Sequence, residues 1–415
     1  MIRRPPRSTL DRSSAASDVY KRQVTIGVMV IALCVSLFLQ IVDLFGFHLG
    51  DEAERWLSTI DFNTTLLHGM LSYLLFAGSL HVKLDDLQDQ KWIIGLLATV
   101  GTLLSTFLVG TITWWVLAFL GISVPYIMCL VFGSLISPTD PIAVLSILKN
   151  AKAPKSLEVK ITGESLFNDG VGVVIFLVLA EIAAGTQEPI PSHIVGLFVQ
   201  EAVGGGAFGL VLGIIGYRLL KSIDQYQVEV LITLGIVTGG YALASTLHLS
   251  GPIAIVVAGL IIGNQGREFA MSTQTRKHLD GFWELIDEIL NAVLFVLIGL
   301  EVLVLTFTQE YLFASLLLIP LILLCRLFAI GVPMTVMRQI REFTPNAIWL
   351  MTWGGLRGGI SVALALSLPA STERDMILAI TYAVVVFSII VQGLSLLHIS
   401  APTSRYASSY AVFCL

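Results

Sequence analysis

Charged residues are scarce in this chain, and their scarcity excludes most classes of soluble protein. Asp, Glu, Lys and Arg make up 13% of its 415 residues, whereas 55% are hydrophobic. A soluble domain carries about 25% charged residues. Cysteine is also rare, and the wide spacing of Cys34, Cys129, Cys325 and Cys414 favours neither a disulfide framework nor a cysteine metal site. Nothing indicates nucleic-acid binding or an organic cofactor, so we expect neither.

Long hydrophobic runs are abundant instead. They recur from Val24 to Leu396, and most are close to the roughly 20 residues that cross a bilayer of about 30 Å. Twelve apolar segments can be drawn: 24–44, 64–82, 92–120, 125–148, 157–184, 194–219, 228–247, 251–264, 284–305, 311–337, 345–369 and 375–396. The sequence therefore predicts an all-α polytopic membrane protein embedded in the lipid bilayer.

Basic residues between these segments predict the orientation, because cytoplasmic loops are enriched in Lys and Arg. One set of alternate loops contains thirteen of them: Lys83, Lys91, Lys149, Lys152, Lys155, Lys160, Arg218, Lys221, Arg267, Arg276, Lys277, Arg338 and Arg341. The opposite set contains Arg55 and Arg374. We predict that the first set is cytoplasmic and that the last span ends in the cytoplasm.

The two ends differ from the rest of the chain. Residues 1–23 are polar and basic, and residues 397–415 show no pattern. We interpret both as translated sequencing-adapter sequence, the alternative being a disordered tail at each end, and we exclude them from the fold. The transmembrane domain is then 24–396, and truncation of the native protein is expected.

Two of the apolar segments are interrupted near their middle. Pro138 and Pro141 remove backbone donors from the fourth segment, and the run from Gly354 to Gly359, including Gly355 and Gly358, interrupts the eleventh. Such backbone is tolerated at membrane depth only where it lines a cavity or is buried in protein. Interrupted helices at corresponding positions are typical of inverted-repeat transporters with a midplane site. For the glycines, close helix packing is the alternative.

Ionisable residues within the spans indicate function, since a charge at membrane depth costs a few kcal/mol or more. The acids are Asp140, Glu164 and Asp169, and the bases are Arg326 and Arg357. We predict that the arginines pair across the bundle with Glu164 or Asp140, the available acids of the right depth. Glu164 lies five positions before Asp169, about 140° around a helix. It therefore faces away from Asp169 and is predicted to be a structural partner of an arginine.

The remaining polar residues suit a monovalent cation, which needs oxygen ligands to replace its water. Asp169 offers a carboxylate, Thr139 and Ser165 offer hydroxyls, Asn168 offers an amide, and Asp140 offers a second carboxylate. We predict that Asp169, Thr139 and Ser165 bind Na⁺. A buried carboxylate can hold a cation or a proton but not both, so competition for Asp169 predicts antiport. For Asp140, helix capping is the alternative.

Three stretches resemble one family: SPTDPIAVLSIL from Ser137, GESLFNDGVGVVIFLVL from Gly163 and WGGLRGGISVALALSLP from Trp353. They look like those of the bacterial monovalent cation/proton antiporters of the NhaP/NHE type. The resemblance extends from Thr25 to Leu396. Relatives usually begin with one more membrane helix, so thirteen spans are expected in the native protein.

This resemblance implies an inverted-repeat NhaA/NhaP-like fold in which two interrupted helices cross at the midplane. It also implies a homodimer in the bacterial plasma (inner) membrane, with a role in pH homeostasis. Asp169 becomes the cation- and proton-exchanging acid, and Glu164 pairs with Arg326, with Arg357 as a second buried arginine. Asn168 implies electroneutral exchange, because relatives with aspartate there are typically electrogenic.

The expected function is thus exchange of Na⁺ or Li⁺ for H⁺, without enzymatic activity. A K⁺/H⁺ antiporter of the same fold remains an alternative, since oxygen ligands alone do not select the cation. An intramembrane aspartyl protease also needs two buried acids, but its catalytic Gly-x-Gly-Asp order is not found at Asp169. A passive channel is the remaining alternative, and a buried ion pair with a proton-competent acid favours coupled transport over it.

Overall fold

The computed structural model describes residues 27–39, 69–141, 154–185, 191–303, 308–339 and 346–393, together with isolated positions 42, 65, 305, 343, 344 and 395. Both predicted tails lie outside these residues. So does the stretch 142–153, which contains the second half of the first interrupted segment.

The described residues are organised into helices. In chain order these are α1 Gly27–Leu39, α2 Leu71–Leu80, α3 Leu84–Phe119, α4 Tyr126–Ile136, α5 Lys155–Ala183, α6 Pro191–Lys221, α7 Tyr226–Thr246, α8 Gly251–Ile261, α9 Thr273–Glu301, α10 Gln309–Met337, α11 Ala347–Trp353, α12 Gly359–Leu366 and α13 Thr372–Phe387. Each of the twelve predicted segments overlaps one of these helices, and the eleventh overlaps two. The predicted all-α membrane fold is confirmed.

Six helices in the described part of the chain are long and apolar enough to cross a bilayer. They are α3, α5, α6, α7, α10 and α13, the last extended to Gly393. Three helices contain or continue into a π-helical turn: Leu97–Gly101 in α3, Ile262–Gly266 after α8 and Ser388–Gly393 after α13. Such turns are rare and are frequent at functional sites.

Buried side chains form two hydrophobic clusters. The smaller one joins α2, α6, α7, α8 and α9 and includes the fully buried Trp283, whose ring lies 4.6 Å from that of Phe76. The larger one contains the buried residues of α3–α5 and α10–α13, together with the faces of α1, α2, α8 and α9 that contact them. We call the α3–α5 and α10–α13 group the core bundle and the α2 and α6–α9 group the second bundle.

Both predicted interruptions lie in the core bundle. Helix α4 ends at Ile136, and the chain from Ser137 to Pro141 is not helical. Helices α11 and α12 are separated by Gly354–Gly358, where the chain is also not helical. The interrupted segments are the middle members of two groups of neighbouring helices. Two stretches of backbone N–H and C=O groups without helical hydrogen bonds therefore lie inside the bundle.

Candidate cation site at the crossing of two interrupted helices

The two interruptions meet directly. The backbone N–H of Asp140 donates to the carbonyl of Leu356 at 2.8 Å, and the two residues form an isolated antiparallel bridge. Proline at 138 and 141 prevents a regular helix here, so the chain is free to pair with the other interruption. This single backbone bond fixes the crossing point of the two segments.

Arg357 lies at this crossing and binds the end of α4. Its side chain is buried, and Nη1 donates to the carbonyl oxygens of Ser137 and Pro138, each at 3.2 Å. Its backbone N–H donates to Ser388 Oγ at 2.9 Å. The last carbonyls of a helix carry partial negative charge, which a guanidinium compensates. Within the described residues, no hydrogen bond joins Arg357 to Glu164.

Glu164 instead forms an ion pair with Arg326 of α10. Nη1 donates to Oε1 at 2.9 Å and Nη2 donates to Oε2 at 3.0 Å, a bidentate arrangement. The side chains of Arg326 and Glu164 are 6% and 4% exposed, so water screens this pair little. Position 355 can only be occupied by a very small residue, because a Cβ on Gly355 would lie 2.7 Å from Arg326 Nε.

Three further predicted residues surround this pair. Asn168 Nδ2 donates to Glu164 Oε1 at 2.9 Å and to Thr139 Oγ1 at 3.0 Å. Arg326 Nη2 lies 3.4 Å from the same Thr139 oxygen. The hydroxyl of Ser165 donates to the Thr139 carbonyl. Thr139 is therefore held from both α5 and α10, and the amide group of Asn168 is turned toward Glu164.

Asp169 differs from every residue in that network. It follows Ser165 by one helical turn on α5, so these two side chains share a face. The Asp169 side chain is half-buried and has no hydrogen-bond or ion-pair partner among the described residues. It is close enough to the carboxylates of Asp140 and Glu164 to be repelled by both. A positive ion next to Asp169 would relieve that repulsion.

Asp140 completes the group of acids at the crossing. Its side chain is half-buried and lies beside the second interruption, where a Cβ on Gly358 would be 3.5 Å from Asp140 Oδ2. The structure thus brings Asp140, Asp169, Thr139 and Ser165 together, along with the Glu164–Arg326 pair and Arg357. Carboxylate, hydroxyl and carbonyl oxygens of this kind are the ligands that hard cations prefer.

Two polar residues of the last span belong to the crossing and were not predicted. Ser388 accepts the Arg357 N–H, and Gln392 Nε2 donates to the carbonyl of Trp353, the last residue of α11, at 3.0 Å. Both are buried. Their spacing of four positions places them on one helix face, and that pattern of two polar residues in an apolar span was the available signal.

Comparisons with known proteins agree with this architecture. A profile of the family described as "Sodium/hydrogen exchanger, transmembrane" matches residues 14–401. The Na⁺/H⁺ antiporter NhaP of Pseudomonas aeruginosa is 52% identical over 377 residues, covering 90% of this chain and 89% of that protein. The Na⁺/H⁺ antiporter NhaH of Halobacillus dabanensis is 35% identical, with 83% and 85% covered.

A solved structure shows the same fold. The sodium proton antiporter MjNhaP1 from Methanocaldococcus jannaschii superimposes with a TM-score of 0.64, at 19% identity, covering 91% of this chain and 99% of that one. At that identity the likeness shows the fold alone. The profile match and the 52% identical relative show more: this chain belongs to the sodium/hydrogen exchanger transmembrane family.

Proposed function

We propose that this protein is a secondary active transporter that exchanges Na⁺ or Li⁺ for H⁺, with the cation and the proton competing for Asp169. One observation carries the proposal. Of the two α5 acids at the crossing, Glu164 is neutralised by Arg326, whereas Asp169 has no hydrogen-bond or ion-pair partner among the described residues. A carboxylate that has no such partner among the described residues, and that lies beside two crossing interruptions, is available for an exchangeable ion.

The neighbours of Asp169 support the roles we assign. Asp169, Thr139 and Ser165 supply oxygen ligands for Na⁺, and Asp140 adds a second carboxylate beside the crossing. Asn168 is neutral and is held by Glu164 and Thr139, so it has no proton to exchange. Exchange at the single carboxylate of Asp169 is then electroneutral, with one cation moving against one proton.

The relatives support the choice of ions. The proteins from Pseudomonas aeruginosa and Halobacillus dabanensis are both named Na⁺/H⁺ antiporters. We place this protein in the plasma membrane of a bacterium, as a homodimer that serves pH homeostasis. The exposed apolar surface of α6, which includes Val195, Val199 and Val203, leaves room for a second copy.

The test is proton movement driven by an added cation. Purified protein is reconstituted in liposomes with an internal pH dye, and sodium, lithium or potassium is added outside. We expect sodium and lithium to move protons, Asp169→Asn to abolish the response, and Asp375→Asn to leave it unchanged. Asp375 is the matched control because its side chain is 54% exposed at the first turn of α13, the opposite end of this span from Ser388.

The outcomes separate the alternatives. A response to potassium alone would keep the mechanism and replace the substrate. Full activity of Asp169→Asn would overturn the assignment of the exchanging acid. Cation flux that creates no pH change would indicate a channel, and a membrane-potential dye that responds during exchange would contradict the one-to-one stoichiometry.

A further inference from the structure

The proposed exchange requires the core bundle to move relative to the second bundle, because alternating access is largely a rigid-body motion about a fixed site. Few described connections join the two bundles. The shortest is the linker of three residues, His81 to Lys83, between α2 of the second bundle and α3 of the core bundle. A short linker permits little displacement, so this is where a hinge belongs.

Two side chains of the second bundle contact this linker. Arg267 Nη2 lies 3.3 Å from His81 Nδ1, and Asn264 bonds the backbone at the end of the linker. Asn264, which follows α8, accepts the N–H of Leu84 on Oδ1 at 2.9 Å. Its Nδ2 donates to the carbonyls of Val82 at 2.8 Å and Leu260 at 2.7 Å. Leu84 is the first residue of α3, and the N-cap residue Lys83 makes no side-chain cap bond there. Asn264 therefore caps a helix of the core bundle from the second bundle.

The backbone around Asn264 is arranged to hold it there. Asn264 lies in the π-helical turn Ile262–Gly266, which changes the direction of side chains relative to a regular helix. Gly259 of α8 and Gly263 of the turn after it allow a close approach to α2, since a Cβ on Gly259 would overlap the Ser79 hydroxyl and a Cβ on Gly263 would overlap the Leu80 carbonyl. Helices α2 and α8 are thus closely packed at this point, and Leu84 follows the packed end of α2 by four residues.

Two packing contacts between the bundles have a different character. Gly359 of α12 packs against Leu294 of α9, and Gly170 of α5 packs against Ile253 of α8. These contacts are apolar and non-directional, so they tolerate sliding. Hydrogen bonds weaken steeply when their length or angle changes. The two bonds from Asn264 to Val82 and Leu84 can persist through a movement only if they lie at a point that stays fixed.

We propose that Asn264 is a positioning residue at the hinge between the two bundles. Its amide keeps the beginning of α3 at a fixed point on the second bundle while the core bundle, with Asp169, moves. This inference depends on the proposed function, since a protein without alternating access has no need of a hinge. Asn264 acts through α3 and contacts none of the residues of the cation site in this structure.

The first test distinguishes a role of Asn264 in the movement from a role in binding the cation. Asn264→Ala is compared with wild type and with the matched control Asn291→Ala, whose amide bonds Asp287 one turn earlier on α9. We expect the maximal exchange rate of Asn264→Ala to fall about tenfold, in the range that misplacing a distant support can cost. Sodium affinity, measured as Na⁺-dependent thermal stabilisation, should stay unchanged. Wild-type exchange, or lost sodium affinity, in Asn264→Ala would overturn the proposal.

A second pair of variants tests whether the point is fixed. Leu84→Cys and Asn264→Cys are combined in a background without the four native cysteines and joined by a short thiol crosslinker. Joining the two positions should restore exchange, because the covalent link replaces the lost hydrogen bond. A folded, crosslinked protein that no longer exchanges would show that the distance changes during transport, and the hinge assignment would be wrong.

A second variant and a second measurement complete the test. If Asn264→Ala does not fold, Asn264→Asp is used, because it keeps an acceptor for Leu84 and removes both donors. If wild type shows no sodium-driven proton movement, the proposed function fails while the hinge contact remains testable. Amide hydrogen exchange at Leu84 then reports whether Asn264 protects this N–H, and equal exchange in wild type and Asn264→Ala would refute the contact.

Discussion

Replacing Arg326 with methionine removes the positive charge that faces Glu164 and keeps an unbranched side chain about as long as the aliphatic part of arginine. Two charged hydrogen bonds, of 2.9 and 3.0 Å, are lost. Glu164 keeps the hydrogen bond from Asn168, but its side chain is only 4% exposed, so water cannot replace the guanidinium. The variant therefore isolates the cost of a buried carboxylate without its counter-ion.

The loss of stability from such an unpaired carboxylate is large compared with the effect of most single substitutions. Breaking a buried ion pair by removing one partner destabilises a protein by about 3–5 kcal/mol. Removing an exposed charge changes stability by about 0.5 kcal/mol or less. Arg338→Met is the matched control, because Arg338 follows the same helix α10 and is exposed. We expect Arg326→Met to be severely destabilised and Arg338→Met to resemble wild type.

A double variant tests whether the loss of stability comes from the unpaired carboxylate of Glu164. In Glu164→Gln/Arg326→Met neither charge remains, and the new amide oxygen can still accept the hydrogen bond from Asn168. Removing both members of a buried pair is often nearly neutral. The double variant should therefore be more stable than Arg326→Met alone.

The assay is the rate of unfolding of purified protein in detergent at a fixed temperature, since membrane proteins of this size seldom unfold reversibly. The expected order of stability is wild type and Arg338→Met first, the double variant next and Arg326→Met last. An Arg326→Met protein as long-lived as wild type would refute the reasoning. So would a double variant that is less stable than Arg326→Met.

Two further predictions concern the packing of the interruptions. Gly172→Ala places a Cβ 2.4 Å from Pro138 Cγ and should destabilise the protein by about 1–3 kcal/mol, whereas Gly235→Ala, with open space around it, should be neutral or stabilising by about 0.5–1 kcal/mol. Equal unfolding rates for the two variants would contradict this. Ser388→Ala leaves the buried N–H of Arg357 without its acceptor and should cost about 1–3 kcal/mol, measured as faster unfolding; unchanged stability would show that this bond contributes nothing.

The first and last residues of a span were predictable where hydrophobicity decides them, but not where a polar residue distant in sequence decides them. The third span was predicted to begin at residue 92, but α3 begins at Leu84, because Asn264 caps a polar first turn that hydropathy does not detect. Lys160 was counted among the basic loop residues, whereas it lies buried in α5 with Nζ 4.8 Å from the Phe343 ring centroid. In both cases the deciding partner is distant in sequence.

The residues of the cation site were predictable as types, but their contacts were not. A carboxylate or arginine at membrane depth is costly, so five residues could be selected by their position within apolar segments: Asp140, Glu164, Asp169, Arg326 and Arg357. Which arginine faces Glu164 could not be derived from the residues, and only the family resemblance favoured Arg326. The roles assigned to Asp169, Thr139 and Ser165 remain predictions until exchange is measured.

The sequence by itself determined the all-α membrane class, the number of apolar segments and the position of both interruptions, because segment length, proline and glycine act locally. Only the tertiary structure decided that Arg326 meets Glu164 across 162 positions and that Arg357 binds carbonyls instead. It also decided that Asp169 is left without a partner among the described residues. Ion pairs and hydrogen bonds depend on distances of a few ångströms, and these are set by how helices far apart in the sequence pack together.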